Sequence, residues 1–215
     1  MKKLIVLWLL MATLCICLTS CAPQPASPEP EVDEDIIDEP IDIAALDLSE
    51  YVELGDYKSL TVRYDPSKIS KGDAAWEELL RISNIKKYPE DQVSYYFYQK
   101  RTGYEHMAKA GGITYDELLT SLGITEEMIL EECRKLTAED LVFYALIEAE
   151  GIIVTDSEKE LYFEKYVALF VADYGYTEDY VRAYLESEIY DTMLYDKTLE
   201  KLSSFVTFEE IGTEE

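Results

Sequence analysis

The amino-acid sequence predicts an all-α fold: a multi-helix domain over residues 73–210, preceded by a short extended segment (47–72) and a disordered acidic tether. Three observations carry that prediction. Apolar residues from about Asp73 onward recur at helical spacing, four junctions repeat a Gly followed by a Thr, and strand-like alternation is confined to Tyr51–Tyr64 around Gly55.

Residues 1–20 come first and read as an export signal. Lys2 and Lys3 give a basic start, Leu4–Leu14 is almost free of polar side chains, and Leu18-Thr19-Ser20 tapers to small residues before Cys21. The apolar run is too short for a permanent span, which needs about 20 residues. The segment Leu18-Thr19-Ser20-Cys21 resembles the lipobox of bacterial lipoproteins, in which that thiol takes a diacylglycerol and cleavage falls just before it. Cys15 and Cys17 fit less well, because Leu14 and Ile16 are bulky where a small residue is wanted. The expected location is therefore the extracytoplasmic face of a cell membrane, lipid-anchored at Cys21. The alternative is a secreted protein with a free cysteine.

Residues 21–46 form the expected tether. Pro23, Pro25, Pro28, Pro30 and Pro40 are interspersed with acidic residues and no basic one. Proline and like-charge repulsion both favour extension, so this stretch reaches up to about 80 Å at about 3.3 Å per residue. No Gly stands where a calcium loop needs its sharp turn, so a spacer is expected rather than a metal site.

Helices are expected near 73–87, 90–110, 115–122, 126–150, 156–174 and 178–205. The junctions are Gly112-Ile113-Thr114, Gly123-Ile124-Thr125, Gly151 to Thr155, and Gly175-Tyr176-Thr177. Gly suits the left-handed position that closes one helix, and the Thr hydroxyl caps the next. Thr114 with Glu117, and Thr155 with Glu158, have capping-box spacing; Ile113 with Leu118, Ile124 with Ile129 and Tyr176 with Val181 have that of a hydrophobic staple. The helix over 126–150 would run about 38 Å at 1.5 Å per residue, long for a domain of this size, so a fresh start capped at Thr137 is an open alternative. Long helices joined by tight turns suggest helical hairpin arms.

Composition narrows the function. The chain has 215 residues with 45 acidic and 19 basic ones, a net charge of −26, and loss of Lys2 and Lys3 makes it more negative still. Such a surface repels phosphate backbones, so nucleic acid is not an expected partner. With Cys21 acylated only Cys133 remains in the mature chain, beside Ile129 and Leu136, where a buried inert thiol is expected. His106 is the single histidine. No zinc site, histidine triad, phosphate loop or nucleophile with a base is apparent, so neither catalysis, metal nor cofactor is expected.

Residues Leu79–Pro89 (Leu-Leu-Arg-Ile-Ser-Asn-Ile-Lys-Lys-Tyr-Pro), Gly112–Leu119, Gly123–Glu127 and Ile147–Asp156, in that order, resemble the C-terminal chaperone domain of trigger factor, and Leu54–Leu60 is similar to the link ahead of that family's isomerase domain. The resemblance covers about 50–210. Two departures accompany it. Only about a dozen residues separate Val62 from Trp76, where the family inserts its FKBP-like prolyl isomerase domain, and the signal and tether stand in place of the ribosome-docking domain. The resemblance implies a SurA-like, ATP-independent chaperone domain that cradles unfolded or newly exported polypeptides, with neither isomerase activity nor a ribosome partner. The alternative is a non-catalytic lipoprotein scaffold for one specific envelope partner.

A client cradle needs apolar surface tolerant of many sequences, and the chain has 18 Tyr. Tyr offers contact area at small rotamer cost with a polar tip. The candidate contacts are Tyr180, Tyr184, Tyr162, Tyr166, Tyr95 and Tyr98. Tyr180 and Tyr184 lead, because Val181, Leu185, Ile189 and Met193 already make a separate core stripe at i, i+4 spacing. Against this, Val167, Leu169, Phe170 and Val171 give the 156–174 helix apolar residues on most sides, as in a buried core helix.

Overall fold

The computed structural model describes residues 39–211; Cys21, the signal segment and most of the tether lie outside them. Seven α-helices dominate the described residues: α1 (Lys71–Ile82), α2 (Glu90–Gly111), α3 (Tyr115–Leu122), α4 (Glu126–Glu150), α5 (Asp156–Tyr174), α6 (Glu178–Tyr184) and α7 (Glu186–Ser203). Four short strands accompany them: β1 (Val52–Glu53), β2 (Thr61–Tyr64), β3 (Asn84–Ile85) and β4 (Thr207–Glu210). The all-α multi-helix expectation holds.

The end of the expected tether is folded. Ile43 and Leu48 sit on short 3-10 turns and are each 4% exposed, with Ile41 and Leu46 packed on the same core. The tether boundary therefore falls before Ile41 rather than at 46: apolar residues among the acids find a groove on the helices, which composition does not reveal. The extended segment likewise holds 3-10 turns and two paired strands. β1 pairs antiparallel with β3, Val52 opposite Ile85, and β2 pairs parallel with β4, Val62 opposite Phe208. The expected helix 73–87 thus runs from Lys71 to Ile82 and gives its last residues to a strand.

All four Gly/Thr junctions form as expected. Gly112, Gly123, Gly151 and Gly175 have φ between +60° and +70°, where a Cβ is strained. Thr114 and Thr155 close capping boxes with Glu117 and Glu158, while Thr125 and Thr177 accept from the amides of Met128 and Tyr180. Thr137 does not start a helix. It is fully buried and its hydroxyl donates to the Cys133 carbonyl at 2.9 Å, so α4 continues unbroken.

α4 is shared by two cores. Its first half packs on α2 and α3, where Val93, Leu119, Ile129 and Cys133 are buried beneath Tyr96, Phe97 and Tyr115. Its second half gives Leu141, Val142 and Leu146 to the main core with Leu79 of α1 and Leu202 of α7, all fully or almost fully buried. The Trp76 ring lies edge-on to Phe143 and Tyr195, centroids 6.2 and 6.3 Å away. At the end of α4, Glu150 accepts from the Tyr57 hydroxyl and pairs with Lys58 at 2.7 Å, tying the N-terminal segment to the helical body.

α5, α6 and the first half of α7 form an arm that continues from the main core through the rest of α7. α5 packs on α6 and α7 through Val167, Phe170, Val181, Leu185, Ile189 and Met193, none more than 9% exposed. The expected single helix over 178–205 is interrupted at Leu185, whose φ of −119° and ψ of 10° leave the helical region. Residues four apart drift about 40° around a helix at each step. A stripe at 181, 185, 189 and 193 would thus turn away from α5, and the irregular residue keeps all four positions buried.

Candidate functional site

Among the described residues, the α5–α6–α7 arm carries two of the most exposed large apolar side chains, Leu161 and Tyr184. Its local cause is the short connection Gly175-Tyr176-Thr177, which turns α6 back along α5 so that Val181 is buried and its neighbours in sequence face outward. Tyr180 is 40% and Tyr184 67% exposed. Rings follow one another along this edge: Phe170 with Tyr176 at 6.1 Å, Tyr176 stacked on Tyr180 at 5.2 Å, and Tyr180 with Tyr184 at 5.1 Å. Spacings of this size are those of mutually attractive aromatic pairs, so the row is held in place before anything binds.

The ladder ends in a groove of about 720 Å³ between the first turns of α5 and the α6–α7 junction. Phe163, Tyr184, Ile189, Tyr190 and Met193 supply its apolar lining. Asp156, Glu160 and Glu186 bring carboxylates to it, against the single cation Lys159. Lys159 is already engaged, with its Nζ 4.5 Å from the Tyr190 ring centroid. Arg182 lies over the Phe163 ring at 5.2 Å and is bound by Glu164 at 2.7 Å and Glu178 at 2.9 Å. The ion pairs of the arm engage Glu158, Glu164 and Glu178 and leave the groove carboxylates to solvent.

The base of the arm is pinned by Lys197 of α7, which donates to Glu158 Oε1 and to the Ile153 carbonyl, each at 2.6 Å. Hydrogen bonds from Lys197 and from the amide and hydroxyl of Thr155 hold the Glu158 carboxyl down to about 2. Tyr166 donates to Asp196 Oδ2 at 2.9 Å, and burial followed by that bond pushes its hydroxyl well above the ordinary tyrosine value.

The other named tyrosines divide by environment. Tyr166 is a half-buried strut between α5 and α7, and Tyr162 is half-buried with Lys165 5.6 Å from its ring. Tyr95 and Tyr98 are half-buried on α2, away from the arm, with Tyr95 against Tyr96 at 5.7 Å. Of the six, the structure brings Tyr180 and Tyr184 to one open edge and leaves Tyr95 and Tyr98 elsewhere.

Sequence reasoning missed the outer face of α5. Leu161 is 73% exposed, and Leu169 and Val171 are also exposed, while only Val167 and Phe170 of that helix are buried. The buried-core-helix reading of α5 is corrected accordingly: the arm is two layers deep, so one side of α5 has nothing to pack on. A second exposed set, Met107, Leu122 and Met128, lies where α2, α3 and the start of α4 meet. The only available signal was apolar residues on more helix faces than a two-layer arm can cover.

Among the described residues no group of His, Cys, Asp and Glu is placed to hold a metal, and no helix is long and apolar enough to cross a membrane. Cys133 is fully buried, and burial pushes its thiol above the ordinary value, which suits packing rather than nucleophilic chemistry. Neither protein-family models nor curated proteins give a match to this chain.

Proposed function

We propose that the protein is a membrane-anchored extracytoplasmic holdase that binds unfolded or newly exported polypeptides without ATP. The observation that carries the reading is the open aromatic edge of the arm, with Tyr184 67% exposed above a stripe that is itself buried. A preordered row of rings offers contact area to many sequences at small entropic cost. The resemblance to the trigger factor chaperone domain supports it, as does the direct run of residues 65–70 from β2 to α1, which leaves no room there for an isomerase domain. Lipid attachment at Cys21 places the domain at the membrane face, and Cys21→Ser should move the chain from washed membranes to the soluble fraction.

The test is suppression of aggregation of several unrelated unfolded proteins at molar excess of the chain. Tyr180→Ser with Tyr184→Ser should weaken it while circular dichroism and the melting transition stay nearly unchanged, because Val181, Leu185 and Ile189 remain buried. Affinity is expected near about micromolar, since a disordered client loses entropy on binding. Failure of the intact chain to protect any of them refutes the reading and favours the scaffold for one envelope partner.

A further inference from the structure

We propose that Tyr180 and Tyr184 form an oxidative cross-linking site, an inference independent of the holdase reading: an oxidant of the peroxidase class draws electrons from the open edge of the arm, and the two phenols end joined by a carbon–carbon bond. The two residues stand one helical turn apart at the end of α6, on the same face. Their ring centroids are 5.1 Å apart and both rings are exposed, Tyr184 at 67%. Val181 and Leu185 carry the packing beneath them, so the rings can turn toward each other without disturbing the core.

The aromatic row supplies the path. Tyr176 is stacked on Tyr180 at 5.2 Å, so an electron vacancy made at Tyr184 is shared with neighbouring phenols over contact distances. Tyr176 itself is half-buried between Phe170 and Tyr180, which leaves Tyr180 and Tyr184 as the pair with room to couple. Elsewhere the same chemistry lacks a second phenol or lacks access. The Tyr57 and Tyr64 rings face Phe205 and Phe208, and Tyr95 and Tyr96 are both half-buried. Trp76 and Cys133, which would compete as electron donors, are buried.

Each tyrosine gives up one electron and its phenolic proton and becomes a neutral phenoxyl radical. The two radicals join through the ring carbons ortho to oxygen, and the hydrogen on each of those carbons then moves to the phenoxyl oxygen, restoring both rings. The pair has lost two electrons and two protons, which reduce one hydrogen peroxide to two waters. Charge favours coupling within one chain over coupling between chains. At a net charge of −26 two copies repel each other, whereas side chains one turn apart are held at high effective concentration. The product braces the last turn of α6 where the irregular backbone of Leu185 follows it.

The experiment treats the full chain with a haem peroxidase and hydrogen peroxide and reads dityrosine fluorescence together with tryptic peptide masses. Trypsin cuts after Lys165, Arg182 and Lys197, so the expected bond joins peptide 166–182 to peptide 183–197 at their summed mass less two hydrogens, and fragmentation places it at Tyr180 and Tyr184. Yield per chain should stay constant on about tenfold dilution, as coupling within one chain requires. Tyr180→Phe and Tyr184→Phe keep the rings and remove one phenol each, so each should lower the yield of this peptide pair by about tenfold or more with circular dichroism unchanged. Tyr95→Phe, which removes a phenol from another adjacent pair, should leave it as it is. A bond closed within peptide 166–182, a yield that falls on dilution, or a peptide pair that persists in Tyr180→Phe overturns the assignment. Absence of any cross-link under conditions in which free tyrosine couples does so as well.

Discussion

The Tyr96 hydroxyl of α2 donates to Asp140 Oδ2 of α4 at 2.6 Å. Gln92 approaches the same carboxylate at 3.4 Å and accepts from the Ile41 amide at 3.2 Å, so one small network joins α2, α4 and the entry of the chain into the fold. Burial pushes the Asp140 carboxyl above the ordinary carboxylate value, and the bonds from Tyr96 and Gln92 oppose this without cancelling it. The folded state therefore binds this proton more tightly than the unfolded state. Its stabilisation is complete below the unfolded value of about 3.9 and is lost as pH rises through the folded one. Urea unfolding of the native chain and of Asp140→Asn, which cannot titrate, should show the native chain losing ground to the variant as pH rises above about 4. A constant difference across that range would mean the carboxyl is not perturbed.

Glu158 behaves in the opposite sense. Its folded value is held down to about 2 by Lys197 and Thr155, so its contribution is present above the unfolded value and disappears as pH falls through the folded one. Glu158→Gln should destabilise the arm at neutral pH, and the deficit should vanish as pH falls from about 4.5 towards about 2. Amide hydrogen exchange resolved to α5 and α7 separates this local loss from global unfolding, with faster exchange in the variant expected first at the start of α5.

Gly55 is required by a close approach rather than by its own dihedrals. A Cβ there would lie 2.5 Å from Ile82 Cγ1 and 2.7 Å from the Ile82 carbonyl oxygen. The side chain can move but the carbonyl cannot without disturbing the end of α1. Gly55→Ala should cost about 1–3 kcal/mol in chemical denaturation, as overpacking typically does. Adding it to Ile82→Ala should still cost stability, because the backbone contact remains; full relief by Ile82→Ala would show that only the side chain was in the way.

Cap chemistry was legible because it is local. A Gly with positive φ and a Thr accepting from the third amide beyond it involve residues adjacent in the chain, so Gly112 to Thr114 or Gly151 to Thr155 read correctly without knowledge of the fold. The buried stripe of Val181, Leu185, Ile189 and Met193 was legible for the same reason, its i, i+4 period relating residues close together in the chain. The exposed outer face of α5 was not. Leu161, Leu169 and Val171 carry the same apolar signal as Val167 and Phe170, and which of them is covered depends on how many helices lie alongside.

By itself the sequence determined the helical class, the four Gly/Thr junctions, the buried Cys133 and the strongly acidic character of the chain, since each follows from near neighbours or from composition. Tertiary structure alone decided the rest. β4 exists because Thr207–Glu210 meets Thr61–Tyr64 across the whole helical domain, and Ile43 is core because α4 offers it a place to be buried. The break at Leu185 arises where a drifting stripe must keep facing α5. The groove is composed of residues from α5, α6 and α7 that no local pattern relates. Burial and pairing are properties of pairs of surfaces, and a linear pattern specifies only one member of each pair.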